Sequence, residues 1–254
     1  MKTTILRVLE KPKLTQPVLI EGLPGMGYVG KLAAEHILSQ FRGKVIAELY
    51  SPHFPHHVSI GAGGIMRPLR NEIYHVQVDG RDLLIWVGDV QSATPEGHYE
   101  IVERVLDFVW EMKTQHLFTL GGFATGRYTP EKPKVIALGD IDLVREAEAY
   151  GAISSEITGG PIIGAAGLLI AKGRLRGMKG LCLLGETHGM MVDPRAAKEV
   201  LEILMGVLKL KISMQNLEEK ARATEQLMEK LKKEMERRAR EEEKRAGEET
   251  PYIG

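Results

Sequence analysis

Gly25-Met-Gly27-Tyr-Val-Gly30 matches the G-x-G-x-x-G pattern, following a β-rich run and opening a helical one. In a dinucleotide-binding fold such glycines bring backbone N–H groups and a helix N-terminus against a pyrophosphate. Glu48, 18 residues beyond Gly30 in the next strand run, would then hold a ribose hydroxyl. The competing reading is steric, because a tight strand-to-helix turn needs glycine with or without a ligand. Pro24 precedes the turn, and nothing downstream has the pattern of a hydride-transfer site.

Three further groups have the residue types for chemistry. His53, His56 and His57 sit in a loop fixed by Pro52 and Pro55, and imidazoles so placed could ligate a transition metal. No cysteine or carboxylate in that segment completes a shell, so packing or solvation of the loop is the stronger reading. Asp89, Glu96 and His98 follow a strand run, where open α/β sheets place ligands. Thr94-Pro95-Glu96 is equally a helix start. Glu186 and His188 could form an acid/base pair, yet no nucleophile stands ready to join them and no G-x-S-x-G elbow occurs. Glycines crowd three more junctions: Gly121–Gly126, Gly159–Gly167 and Gly185–Gly189.

These junctions need elements to position them. Pro17–Glu21, Val45–Leu49, Leu117–Leu120, Val135–Leu138 and Leu181–Leu184 read as buried strands. Ile73–Val78 and Leu83–Val87 flank Asp79-Gly80, a hairpin-turn dipeptide that predicts an antiparallel pair. Tyr28–Gln40 has helical spacing, and Glu96–Met112 places Ile101, Val102, Val105, Val109 and Met112 on one face. Apolar strands without alternation call for helices on both faces. The expected fold is a three-layer α/β/α core with a mostly parallel sheet, spanning residues 1–193.

Composition narrows the class. The chain has 254 residues, 43% hydrophobic, with 34 basic and 34 acidic residues, so net charge favours neither nucleic acid nor an anionic membrane as partner. A single cysteine, Cys182, lies in an apolar run and fits a buried role in a reducing, cytoplasmic compartment. Met1–Lys13 lacks the apolar core of a signal peptide, and Pro161–Ala171 is about half of the roughly 20 residues that cross a bilayer.

From Pro194 onward the pattern changes. Asp193 can cap a helix that Pro194 opens. Val207, Leu210, Met214, Leu217, Ala221, Thr224, Met228, Leu231 and Met235 are then spaced alternately by three and four residues, the a/d seam of a coiled coil. Glu218 with Arg222, Glu229 with Lys233, Glu234 with Arg238 and Glu241 with Arg245 add i,i+4 pairs worth roughly 0.2–0.5 kcal/mol each. One long helix over residues 194–246, pairing with another chain, is the expectation; a helix lying on its own domain is the alternative.

Taken in order, Gly22-Leu-Pro-Gly-Met-Gly-Tyr-Val-Gly30, Gly121-Gly-Phe-Ala-Thr-Gly126, Gly160-Pro-Ile-Ile-Gly-Ala-Ala-Gly167 and Leu184-Gly-Glu-Thr-His-Gly189 resemble the archaeal proteasome-assembly-chaperone family. The likeness covers about residues 14–205, and long C-terminal helices fit it. The resemblance implies an α/β/α core, a homo-oligomer and ATP-independent chaperone activity, with no catalytic residues and no cofactor. It implies proteasome α-subunits or assembly intermediates as partners; whether a related chaperone chain joins as a further partner the sequence leaves open. Members of that family and proteasome activators often end in hydrophobic–tyrosine–any residue, a motif that docks on the α-ring. Here the end is Pro251-Tyr252-Ile253-Gly254, with the tyrosine one place earlier than that pattern, at the tip of a flexible tail over residues 247–254. The rival class is a nucleotide-dependent enzyme, ligase- or phosphorylase-like, built on the Gly25–Gly30 loop.

Overall fold

A computed structural model describes residues 2–154, 160–227 and 230. The chain opens with β1 (Ile5–Val8), β2 (Val18–Glu21), α1 (Val29–Gln40) and β3 (Lys44–Tyr50). A small ribbon, β4 (Val58–Ile60) and β5 (Met66–Pro68), precedes the hairpin β6 (Asn71–Val78) and β7 (Arg81–Gly88). Then come α2 (Pro95–Glu111), β8 (His116–Ala124), β9 (Val135–Gly139), α3 (Ile141–Glu148) and β10 (Ile153–Ser154). Finally α4 (Ala165–Leu175), β11 (Lys179–Thr187) and α5 (Pro194–Leu208) close the core.

Nine strands form one sheet in the order β1-β3-β6-β7-β2-β8-β11-β9-β10. Its heart, β7-β2-β8-β11, is parallel. Outside it the directions change, so the sheet as a whole is mixed around a parallel centre, with the edge strand β10 again parallel to β9. On one side β7, β6, β3 and β1 alternate in direction. The cause is local: Asp79 (φ 49°) and Gly80 (φ 78°) make a two-residue turn, and such a turn can only join antiparallel neighbours. On the other side β9 runs antiparallel to β11. The connection from β8 to β9 carries no helix in its described course, so it cannot make the crossover that a parallel partner requires.

Helices cover both faces, giving three layers. Ala33, Ile37, Val144, Val200 and Leu204 bring α1, α3 and α5 against one face. Val102, Val105, Val109 and Leu169 bring α2 and α4 against the other. Thr94 caps α2 by accepting the Gly97 N–H at 3.1 Å, and Asp193 caps α5 by accepting the Ala196 N–H at 3.2 Å.

The helix drawn from Pro194 as a single rod ends at Leu208. Lys209 turns left-handed (φ 54°), and the N–H groups of Lys209 and Leu210 return to the carbonyls of Gly206 and Met205. Residues 210–214 are not helical; residues 215–227 are. The helix is not an appendage either, because Ala196, Ala197, Val200, Leu201 and Leu204 are fully buried in the core. The first half of the seam therefore points inward: Val207, Leu210, Leu217 and Ala221 are buried, and Met214 packs against the same cluster. A 3/4 periodicity specifies one apolar stripe; it does not name what the stripe meets. Thr224 is half-buried, while Met228, Leu231, Met235 and the tail Pro251–Gly254 lie outside the described residues.

This packing is testable. Leu217 is 1% exposed, so Leu217→Ala should weaken docking of residues 215–227 by about 2–5 kcal/mol. Amide exchange in that helix should accelerate while exchange in the central strands stays slow.

Candidate functional site: the glycine-lined end of the parallel strands

The four glycine junctions converge at the carboxyl ends of β2, β8 and β11 and the start of α4. There the glycines let backbone segments touch one another. A Cβ on Gly30 would lie 2.0 Å from the Leu120 carbonyl oxygen, so α1 can cross β8 only with glycine at this position. A Cβ on Gly122 would lie 2.3 Å from the Met26 carbonyl oxygen. Gly27 adopts φ 61°, and the space beside its Cα is filled by the Thr187 hydroxyl. Thr187 in turn donates to Asp193 Oδ2 (2.9 Å), and the Asp193 N–H donates to the Gly27 carbonyl (2.8 Å).

This arrangement does not reproduce a dinucleotide site. The approach that a pyrophosphate would need at Gly27 is taken by Thr187. Glu48 sits on β3, separated from β2 by β6 and β7, roughly 14 Å away at ordinary strand spacing. It pairs instead with Arg70 (3.1 Å) and Arg7 (3.6 Å).

The other sequence candidates take structural partners. His53 bonds Thr94 Oγ1 (2.9 Å) and Glu100 Oε2 (3.2 Å), tying its loop to the start of α2, while His56 and His57 are exposed. Among the described residues no group of three or more His, Cys, Asp or Glu could hold a metal ion. Burial opposes ionisation of Asp89, but two hydrogen bonds from Arg67 and one from the Arg70 N–H outweigh it and hold the carboxyl below its ordinary range. Burial lowers the His98 pKa. Glu186 accepts from the Lys134 N–H and His188 from the Met190 N–H, so their hydrogen bonds go to different backbone groups. Burial pushes the Cys182 thiol up to about 12, which keeps it un-ionised and inert at neutral pH.

Two residues not singled out in the sequence define the site. Gln91 joins three segments: its Nε2 donates to the Pro24 carbonyl (2.7 Å), and its Oε1 accepts from the Ala165 N–H (3.0 Å). His98 Nε2 lies 3.3 Å from the same Oε1. Glu21 ends β2 and is 1% exposed; its Oε1 accepts from the Leu23 N–H (3.0 Å) and its Oε2 has no partner. Burial pushes its carboxyl up to about 8 against that one backbone hydrogen bond. The signal was a carboxylate closing the apolar run Val18-Leu-Ile-Glu21, in a strand buried on both faces.

Glu21, Gln91, Met26, Phe123, Ile162 and Leu184 are among the residues that line a cleft of about 230 Å³. A second groove, about 490 Å³, runs past Tyr28, Met190, Met191, Val192, Thr224 and Leu227. The two share Gly25. Apolar side chains are exposed around both, with Ile163 at 86% and Met190 at 89% the most open. No lysine or arginine lines either one among the described residues, which removes the usual counter-charge for phosphate.

A mixed α/β sandwich whose glycine turns pack on themselves and present methionine, isoleucine and phenylalanine to solvent defines a binding scaffold. The chain belongs to the PAC2 family, whose model matches residues 19–232. It is similar to Pyrococcus furiosus PbaB, an archaeal proteasome activator: 41% identical, covering 91% of this chain and all of that one, with a TM-score of 0.86. Pyrococcus furiosus PbaA, an archaeal homolog of proteasome-assembly chaperone, is 25% identical, with 98% of this chain and 100% of that chain covered and a TM-score of 0.74. An uncharacterized protein of Methanocaldococcus jannaschii is 35% identical over 226 residues, 89% of this chain and 87% of its own length. Among the described residues no helix is long and apolar enough to cross a membrane.

Proposed function

We propose that this PAC2 protein is a non-catalytic, cytoplasmic partner of the proteasome that binds its α-subunits or assembly intermediates as a homo-oligomer. The observation that carries the reading is the glycine-lined end. Its exposed Met26, Phe123, Ile163 and Met190 form adaptable apolar surface beside two grooves, the composition of a protein-binding patch. The descriptions of PbaB as an activator and PbaA as an assembly-chaperone homolog support the choice of partner. Met228, Leu231 and Met235 continue the apolar spacing beyond the part of the seam used internally, and in this reading they serve self-association or client capture. Pro251, Tyr252, Ile253 and Gly254 supply a short docking motif, repeated on each copy so that weak contacts multiply through effective concentration.

The test is co-elution with proteasome α-subunits on a sizing column with mass detection, comparing the full chain with one lacking residues 250–254. A complex that weakens at least tenfold on truncation supports the tail as an anchor. A complex indifferent to truncation but lost in Met190→Glu places the contact at the glycine-lined end. No complex with either chain overturns the proposal.

A further inference from the structure

The parallel heart of the sheet carries a transverse row of polar side chains that neither the fold nor the proposed partner accounts for. Trp86, Glu21, Thr119 and Cys182 are register partners on β7, β2, β8 and β11, and so share the face beneath α2 and α4. Trp86 Nε1, Glu21 Oε2 and Thr119 Oγ1 are buried without hydrogen-bond partners. An unpaired buried polar group costs about 1–3 kcal/mol, so each of the three would gain from a polar partner, and of them Glu21 alone lines a cleft that could admit one. Glu21 lies where this row meets the 230 Å³ cleft. Apart from Gln91 the side chains of the walls are apolar, among them Leu23, Met26, Phe123, Ile162 and Leu184, and the one ionisable side chain among the described lining residues is the Glu21 carboxyl. The location is also the place where open α/β sheets hold ligands, outside the carboxyl ends of parallel strands.

We infer that this cleft is a binding site for a primary alkylammonium group, its aliphatic stem against the apolar walls and its head on the Glu21 carboxylate. Charge complementarity selects this chemistry. Phosphates and other anions find no cation among the described lining residues, whereas an ammonium ion supplies the counter-charge for the buried carboxylate. The same chemistry comes from a small free amine or from a lysine side chain of a polypeptide. Binding exchanges ions in a balanced way: the neutral carboxyl gives up its proton to buffer, and the resulting carboxylate pairs with the ammonium. Free Glu21 holds its proton until about pH 8. Apparent affinity should therefore rise roughly tenfold per pH unit below that value and level off above it. The inference is independent of proteasome binding.

The experiment is titration calorimetry of the full chain with pentylamine at pH 6, 7 and 8, in two buffers of different ionisation enthalpy. Expected are saturable binding, release of close to one proton per ligand at pH 6, and the stated rise in affinity. Glu21→Gln, which keeps the shape, should weaken binding at least tenfold and abolish proton release. Ile163→Arg, an exposed rim change that leaves the core untouched, should weaken it several-fold by placing a like charge at the entrance. Nα-acetyl-lysine methylamide binding as tightly as pentylamine assigns a polypeptide lysine as the source; tenfold weaker binding assigns a free amine. Absence of saturable binding at millimolar pentylamine, equal affinity in Glu21→Gln, or tighter binding of hexanoate than of pentylamine overturns the inference.

Discussion

Glu21→Gln should make the protein more stable at pH 7 and remove most of its loss of stability between about pH 5 and pH 8. The folded carboxyl titrates at about 8, against an ordinary value of 4.5. Between those values the native state holds a proton that the unfolded chain has released. Unfolding is then favoured as pH rises, and stability falls through that window. Below about pH 4.5 both states are protonated and the contribution is fully present. At pH 7 the loss is on the order of 3 kcal/mol, a large share of a typical domain's stability. Glutamine keeps the shape and the acceptor for the Leu23 N–H while removing the ionisation. Urea midpoints at pH 5, 7 and 8.5 check this, read as a difference between the two proteins. The difference matters because Asp89 titrates in the opposite sense and contributes equally to both. Parallel pH curves would mean that the carboxyl reaches solvent and titrates normally.

Gly30→Ala should cost about 3 kcal/mol or more, with the effect seen in folding. Its Cβ would meet the Leu120 backbone oxygen at 2.0 Å, and that oxygen belongs to a central strand that cannot retreat alone. Gly61→Ala is the matched control: its nearest neighbour lies 3.6 Å away, its φ is −90°, and its cost should stay within about 0.5 kcal/mol. Denaturant midpoints of the two variants decide between packing and ligand-binding roles for the motif. A fully stable Gly30→Ala protein would reopen the nucleotide reading.

The elements that could be read from the sequence are those governed by nearest neighbours. Asp79-Gly80 demanded a tight hairpin, Thr94-Pro95 and Asp193-Pro194 announced helix starts, and the apolar runs marked β2, β8 and β11. What could not be read depends on distant pairing. Nothing local tells β9 that it will run against β11, or places two strands between β3 and β7's neighbour β2. The heptad stripe misled for a related reason: Leu217 needed an apolar surface, and the chain reversal at Lys209 through Met214 offered its own core before any partner. At the site, the glycine motifs located the right end of the sheet but pointed to the wrong chemistry. Close backbone contact and phosphate approach ask for the same residue, and what separates them is long-range: Thr187 filling the space beside Gly27 and Glu48 standing on a distant strand. Glu21 stayed hidden because a glutamate at a strand end is ordinary until its neighbours are known.

The Asp193 side chain and N–H together join three things: the Gly27 turn, the Thr187 end of β11 and the first turn of α5. A displacement of the glycine turn must either break that knot or carry the start of α5 with it. Since α5 is fully packed along its length, the motion would travel to its far end, where Lys209 reverses the chain toward residues 215–227. Residues 215–227 then lead back to the same end, where Thr224 and Leu227 line the groove beside Gly27, so one stretch of chain meets the glycine turn from two directions.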